Sequence, residues 1–232
     1  MNVIVTGASK GIGKAIAEIF AANGHNLFIC SRGEVLLYKT MEEFQTRFPL
    51  ITVKAKPVDL SKKENAIAFG KWCLNIALPD IVVNNAGLFL PGSVHNEPEG
   101  TLESQVETNL YSAYYLTRTV LPGMMERKSG HIFNICSIAA LGAYDNGGAY
   151  SVSKFAMTGF SMNLRKEMMP YGIKVTAVHP GAAMSDSWGG FDNSSKRIME
   201  AEDIAKMVYA AAQLSTQACV EEIIIRPQLG DL

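Results

Sequence analysis

Tyr150 and Lys154 stand four residues apart in the run Tyr150-Ser151-Val152-Ser153-Lys154, a spacing that puts two side chains on one face of a helix. Two arrangements use it. One is a surface aromatic beside a solvated amine. The other is a proton-transfer pair. A free tyrosine has a pKa of about 10 and is a poor acid near neutrality. A cation one turn away favours the phenolate and lowers that value, which opens general acid–base work at physiological pH. Ser137 follows the apolar run Ile132–Ile135. A serine there is either a turn or helix cap or a hydrogen-bond donor to a developing oxyanion. Asn109 lies inside a helical stretch, where asparagine is unfavourable, and a helix end or a polar surface position also accounts for it. Ser9 and Ser137 lack the nucleophile elbow of a hydrolase. His25, His95, His131 and His179 are scattered without metal-ligand spacing, so no metal site is expected.

A second cluster opens the chain. Thr6-Gly7-Ala8-Ser9-Lys10-Gly11-Ile12-Gly13 follows an apolar strand and starts a helix. Glycines allow a tight turn and a close backbone approach to a pyrophosphate, whose charge meets the N–H groups of the helix start. A purely structural turn would also use them. The spacing is neither the GxGxxG form nor the phosphate loop that ends in Gly-Lys-Ser/Thr. The second strand ends at Leu27-Phe28-Ile29-Cys30, so Ser31 takes the place where NAD sites usually put a carboxylate. Ser31 has no charge to repel a phosphate, Arg32 follows it, and Lys10 sits in the glycine turn. Two cations there suit a 2′-phosphate, or are plain surface charges. The expected cofactor is NADP(H), which brings the hydride and needs no metal.

Strand and helix patterns alternate along the whole chain. Short runs rich in Val, Ile and Phe predict strands at 2–6, 27–30, 51–55, 81–83, 131–135, 173–178 and 222–225. Several are apolar without a break, as in a parallel sheet covered on both faces. Helical periodicity marks 12–22, 33–47, 61–77, 101–128, 150–169 and 201–214. Ser61 with Glu64 reads as a capping box, and Pro122 as a turn boundary. The expected fold is α/β: a three-layer Rossmann fold with a doubly wound, mostly parallel seven-stranded sheet, in one domain over 1–232. Residues 184–199 lack regularity and are expected to form a substrate lid.

Composition excludes several function classes. Of 232 residues 48% are apolar, and the net charge is -1, which is not the balance of a nucleic-acid binder or of a disordered chain. No apolar run is long enough to cross a bilayer, and Met1-Asn2 leads straight into the first strand with no room for a signal peptide. The cytoplasm is the expected location. Cys30, Cys73, Cys136 and Cys219 form no CxxC pair and are expected to be reduced and mostly buried.

The ordered set Thr6-Gly7 to Gly13, Asp59-Leu60, Asn84-Asn85-Ala86-Gly87, Asn109, Ser137, Tyr150 to Lys154 and Pro180-Gly181 resembles the short-chain dehydrogenase/reductase family over almost the whole chain. The resemblance implies that Tyr150 protonates the carbonyl oxygen as hydride reaches carbon. Ser137 steadies the oxyanion, and Lys154 also holds the ribose hydroxyls. Asn109 kinks its helix and anchors a water linked to the lysine. It places Asp59 and Leu60 beside the adenine, Asn85, Ala86 and Gly87 along the cofactor, and Pro180, Gly181, Ala183 and Ser185 at its nicotinamide end. Ser185 stands where the family commonly has threonine. The resemblance also implies a homodimer or homotetramer, with the helices at 101–128 and 150–169 pairing through Tyr111, Tyr114, Tyr115, Phe155, Met157 and Phe160.

The substrate is expected to be a small carbonyl compound lying between the loops after Gly87, Ser137 and Gly181. Leu88, Phe89, Ile138, Ala139, Tyr144, Met184, Trp188 and Phe191 are the expected apolar lining, with Asp145 and Asp186 as polar anchors. The stretch Pro180–Gly189 and the chain end resemble the bacterial sepiapterin reductase branch, which implies a pterin side-chain carbonyl. A 3-oxoacyl thioester reductase, an alcohol or sugar dehydrogenase, and a non-catalytic NADP-binding protein are the alternatives.

Overall fold

The computed structural model describes residues 1–184 and 191–231. The predicted strands form as β1 (Asn2–Thr6), β2 (Asn26–Ser31), β3 (Val53–Pro57), β4 (Ile81–Asn84), β5 (Gly130–Ile135), β6 (Ile173–Pro180) and β7 (Glu222–Ile225). They make one seven-stranded sheet in the order β3-β2-β1-β4-β5-β6-β7. Every neighbouring pair is parallel. The helices are α1 (Gly11–Ala22), α2 (Glu34–Arg47), α3 (Lys63–Ile76), α4 (Thr101–Val106), α5 (Ser112–Arg127), α6 (Gly148–Met168) and α7 (Ala201–Ala212).

Successive strand residues point to opposite faces, and two cores follow. Val3, Val5, Leu27 and Ile29 pack with Ile16, Phe20, Phe44, Ile204 and Val208 on the side of α1, α2 and α7. Ile4, Phe28, Val82 and Ile132 pack with Phe69, Leu116, Val120 and Leu164 on the side of α3, α5 and α6. This is the predicted three-layer Rossmann arrangement. Strand order reverses between β1 and β4, the place where open α/β sheets hold ligands beyond their carboxyl ends.

Three local expectations are corrected. The third strand runs over Val53–Pro57 rather than 51–55, because Ile51 turns back to hydrogen-bond Phe48 and Leu27 takes Val53 as its partner. Ser61 is not a helix cap. Its N–H donates to Asp59 Oδ1 at 3.1 Å, Asn65 Nδ2 donates to the Asp59 carbonyl at 3.0 Å, and α3 starts only at Lys63. Pro122 does not mark a boundary. It lies inside α5, which continues to Arg127, although a proline removes one backbone hydrogen bond. Between α4 and α5 the chain makes a π-helical turn, Glu107–Tyr111. Cys30, Cys73 and Cys136 are buried, Cys219 is partly buried, and all four are unpaired. Among the described residues no helix is long and apolar enough to cross a membrane.

Candidate active site

The glycine turn sits at the switch point. Gly7 (φ +65°) and Gly11 (φ +54°) are both left-handed, where a side chain would be strained. A Cβ on Gly13 would collide with the Gly7 carbonyl oxygen and the Asn85 amide. No side chain caps the start of α1, and its first turn carries no acid, so its N–H groups suit an anion. Thr6 Oγ1 accepts the N–H groups of Asn85 and Ala86, both at 2.9 Å, and donates to the Val83 carbonyl at 3.3 Å. Asn85 Nδ2 returns two bonds, to the carbonyls of Thr6 (2.9 Å) and Gly7 (3.2 Å). The loops after β1 and β4 are thereby braced to each other. The Asn85 amide is engaged in that brace. Both residues stand in the motifs named above and Asn85 also lines the cleft, but the bond between them is not announced in sequence.

Ser137 lies just beyond β5. Its Oγ accepts the Ala139 N–H at 3.1 Å, capping the short turn Ile138–Ala140, and it also hydrogen-bonds the Tyr150 phenol. Cap and site residue are thus the same side chain. Tyr150 and Lys154 share one face of α6 and are no surface pair. Phe89 packs edge-on against the Tyr150 ring, with centroids 4.8 Å apart. Lys154 is buried. Its Nζ donates to the Ile135 carbonyl at 2.9 Å and lies 5.7 Å from the Tyr150 ring centre.

Among the chain's own groups, burial runs against the lowering expected of the tyrosine pKa, which counts on a cationic nicotinamide as well as the lysine. Burial pushes the Tyr150 phenol up, against the hydrogen bond from Ser137. Burial also pulls Lys154 down to about 8. Desolvation is the largest cause at both residues, and a phenol already protonated at neutral pH is held so more firmly.

Asn109 is buried in the π turn. Its Oδ1 accepts the Leu88 N–H at 2.6 Å, and its Nδ2 donates to the Leu88 carbonyl (3.0 Å) and to Ser153 Oγ (2.8 Å). Ser153 Oγ in turn donates to the Tyr150 carbonyl at 2.7 Å. The π turn therefore holds both the loop after β4 and the first turns of α6. Glu97, from the same loop, accepts the Ala149 N–H at 3.1 Å and caps α6.

The buried ammonium has a consequence for stability. The unfolded chain binds this proton up to an ordinary 10.5, whereas the folded chain gives it up above about 8. Stability from this group is therefore lowest below pH 8 and rises between pH 8 and 10.5. The penalty at pH 7 is on the order of 3 kcal/mol, and the bond to Ile135 returns about 1 kcal/mol. Lys154→Met should thus stabilise the protein by about 2 kcal/mol, raising Tm by roughly 4–8 °C. Calorimetry of the two proteins at pH 7 and pH 10 checks this. The advantage of the variant should shrink at the higher pH, and a lower Tm at pH 7 would contradict it.

These groups face one cleft of about 1030 Å³, at the upper end of the usual range of ligand sites, about 300–1,000 Å³. One end is walled by Ser9, Lys10, Ile12, Ser31, Arg32, Asp59 and Leu60. Its middle is walled by Ala86, Gly87, Leu88, Ser137, Tyr150 and Lys154, and the far wall by Ile138, Tyr144, Pro180, Gly181 and Ala183. The sequence-predicted residues are therefore mostly brought together. Asn109 stands behind the wall. Met184 does not line the cleft. Its N–H bonds the Met199 carbonyl at 2.9 Å, beside the bridge between Ala183 and Met199. Asp145 is exposed and Phe191 partly buried, and neither lines it. Ser185, Asp186 and Trp188 lie outside the described residues. Arg226 and Asp231 do line the cleft and were missed. The available signal was a cation at the carboxyl end of the last strand. Among the described residues no cluster of three His, Cys, Asp or Glu could hold a metal.

A family model described as short chain dehydrogenase matches residues 1–194. An uncharacterized oxidoreductase of Staphylococcus saprophyticus is 31% identical over 225 residues, covering 97% of this chain and 96% of its own. Among solved structures, serine dehydrogenase from Escherichia coli is similar with a TM-score of 0.85 and 28% identity, over 100% of both chains. A short-chain dehydrogenase from Sphingobium yanoikuyae in complex with NADPH has a TM-score of 0.86 and 27% identity, over 96% of this chain and 87% of its own.

Proposed function

Because the chain belongs to the short-chain dehydrogenase family, we propose that it is an NADPH-dependent reductase of a small carbonyl compound, with Tyr150 as its proton donor. The observation that carries this is the meeting of Tyr150, Ser137 and buried Lys154 in the same cleft as the glycine turn.

The residues present fit the dinucleotide. The uncapped start of α1, with Gly7, Gly11 and Gly13 beside it, suits the pyrophosphate. Lys10 and Arg32 would meet the 2′-phosphate, with Ser31 leaving room for it, and Asp59 and Leu60 would flank the adenine. Ala86, Gly87, Pro180, Gly181 and Ala183 would bound the nicotinamide end. When bound, the dihydronicotinamide supplies the hydride that reaches the carbonyl carbon. Tyr150 gives its phenolic proton to the carbonyl oxygen, and Ser137 donates a hydrogen bond to the charge that develops there. The Lys154 ammonium favours the phenolate left behind. Asn109 acts through Ser153, holding the backbone of Tyr150 in place.

The resemblance of Pro180–Gly189 and of the chain end favours a pterin side-chain carbonyl as one substrate class, and an oxo acid is the class that competes with it. We also propose a homodimer or homotetramer in the cytoplasm. Tyr111, Tyr114 and Phe155 leave an exposed aromatic face on α5, α6 and the π turn. Met157 is buried and Phe160 packs into the core, so those two are covered within the chain.

The test is NADPH oxidation over a panel of oxo acids, their esters, diketones, 3-oxoacyl thioesters, sugars and sepiapterin. Carbonyl-dependent oxidation with at least one class is expected. Tight NADPH binding with no turnover on any class would favour a non-catalytic cofactor-binding protein and overturn the proposal.

A further inference from the structure

Arg32 stands at the end of β2 and Arg226 at the end of β7, at opposite ends of the same cleft. Arg226 is the first residue past its strand, and its neighbour Ile225 pairs with Pro180 of β6. Arg226 Nη1 is ion-paired with Asp231 Oδ2. The backbone that carries Asp231 is held from the side. Arg197 donates to the carbonyls of Gly230 and Asp231, both at 2.9 Å. A Cβ built on Gly181 would meet Asp231 Oδ1 and Ile138 Cδ1 at the same distance, 3.4 Å. The Asp231 carboxylate therefore lies on the wall that continues from Ser137, two strands from β7.

Four cations line the cleft among the described residues: Lys10, Arg32, Lys154 and Arg226. Lys10 and Arg32 lie at the β1 and β2 end. Lys154 is turned to the Ile135 carbonyl behind Tyr150. Arg226 is the cation of the far wall. It is 42% exposed and Asp231 41%, and an ion pair this open contributes little to stability. A guanidinium fork can donate two parallel hydrogen bonds to any carboxylate.

We propose that Arg226 binds the substrate, and that the substrate is a carbonyl compound bearing a carboxylate, which takes the place of Asp231 on the guanidinium. The inference rests on the reductase function proposed above. The acid is an oxo acid. Its carbonyl carbon gains a hydride, its oxygen gains the Tyr150 proton, and the product is the hydroxy acid. Asp231 is then a resident competitor that holds Arg226 in place until an acid arrives. Neutral carbonyl compounds, a pterin included, gain nothing from this residue.

The experiment compares kcat/KM for matched pairs of 2-oxo and 3-oxo acids and their methyl esters, with sepiapterin alongside, at saturating NADPH. The wild-type protein should favour the acid over its ester. Arg226→Gln should lower the acid-to-ester ratio by at least about tenfold, the loss of one charge-assisted contact. Asp231→Asn should raise that ratio by lowering KM for the acid. The ratio cancels any general damage to the fold or to cofactor binding. A ratio that Arg226→Gln leaves unchanged, or a wild-type preference for esters or sepiapterin, overturns the inference and leaves the reductase standing. No turnover of any carbonyl compound overturns both.

Discussion

Tyr150→Phe should lower turnover by at least about a hundredfold, since general acid–base assistance is worth about 10²–10⁴, while the fold and the affinity for NADPH stay nearly unchanged. The substitution removes one hydroxyl. The ring keeps its edge-on contact with Phe89, Ser153 still bonds the backbone carbonyl at position 150, and Lys154 still donates to Ile135. What disappears is the phenolic proton that the carbonyl oxygen would take. Steady-state kcat, a thermal melt and NADPH titration by fluorescence read the three quantities separately. Near-normal turnover of the variant would mean that another group supplies the proton.

The second large effect is expected at the other end of the cleft. Arg32→Ala should weaken NADPH binding roughly ten- to a hundredfold, because a hydrogen bond to a charged group contributes about 1.5–3 kcal/mol, and should leave NADH nearly unaffected. Ser31 donates to the Gly33 carbonyl at 3.2 Å and brings no charge. Ser31→Asp should go further, adding repulsion against the 2′-phosphate and an acceptor for the ribose hydroxyls, so that the preference falls or reverses. kcat/KM for both cofactors at one ionic strength decides it, since exposed charges are screened by salt. A wild-type protein that prefers NADH would remove the assignment of Arg32 without touching the chemistry at Tyr150.

Much of this arrangement was legible in the sequence because it is local. An unbroken apolar run fixes a buried parallel strand, and Thr6 to Gly13 fixes a turn between strand and helix. Four residues of helix bring Tyr150 and Lys154 to one face whatever surrounds them. What escaped depends on partners far along the chain. The third strand slid by two residues at its start because Leu27, not its own composition, sets the register. The π turn cannot be told from a continuous helix by periodicity, yet it is what lets Asn109 reach both Leu88 and Ser153. The direction of the Tyr150 shift follows from burial, which no spacing reports. Arg226 and Asp231 are five residues apart, but only the packing of the tail over Gly181 puts them in the cleft.

The brace at Thr6 divides the cleft into halves of unequal freedom. One hydroxyl and one amide tie the glycine turn to the loop after β4 through partly buried bonds. At the other end the segment after β7 is held by half-buried Arg197, exposed Arg226 and a proline over a glycine. Mutational drift meets a stiff frame on the dinucleotide side and a loosely tethered one on the substrate side. Such a protein can exchange its choice of carbonyl compound through a handful of residues near its carboxyl end, while its use of the cofactor is inherited intact.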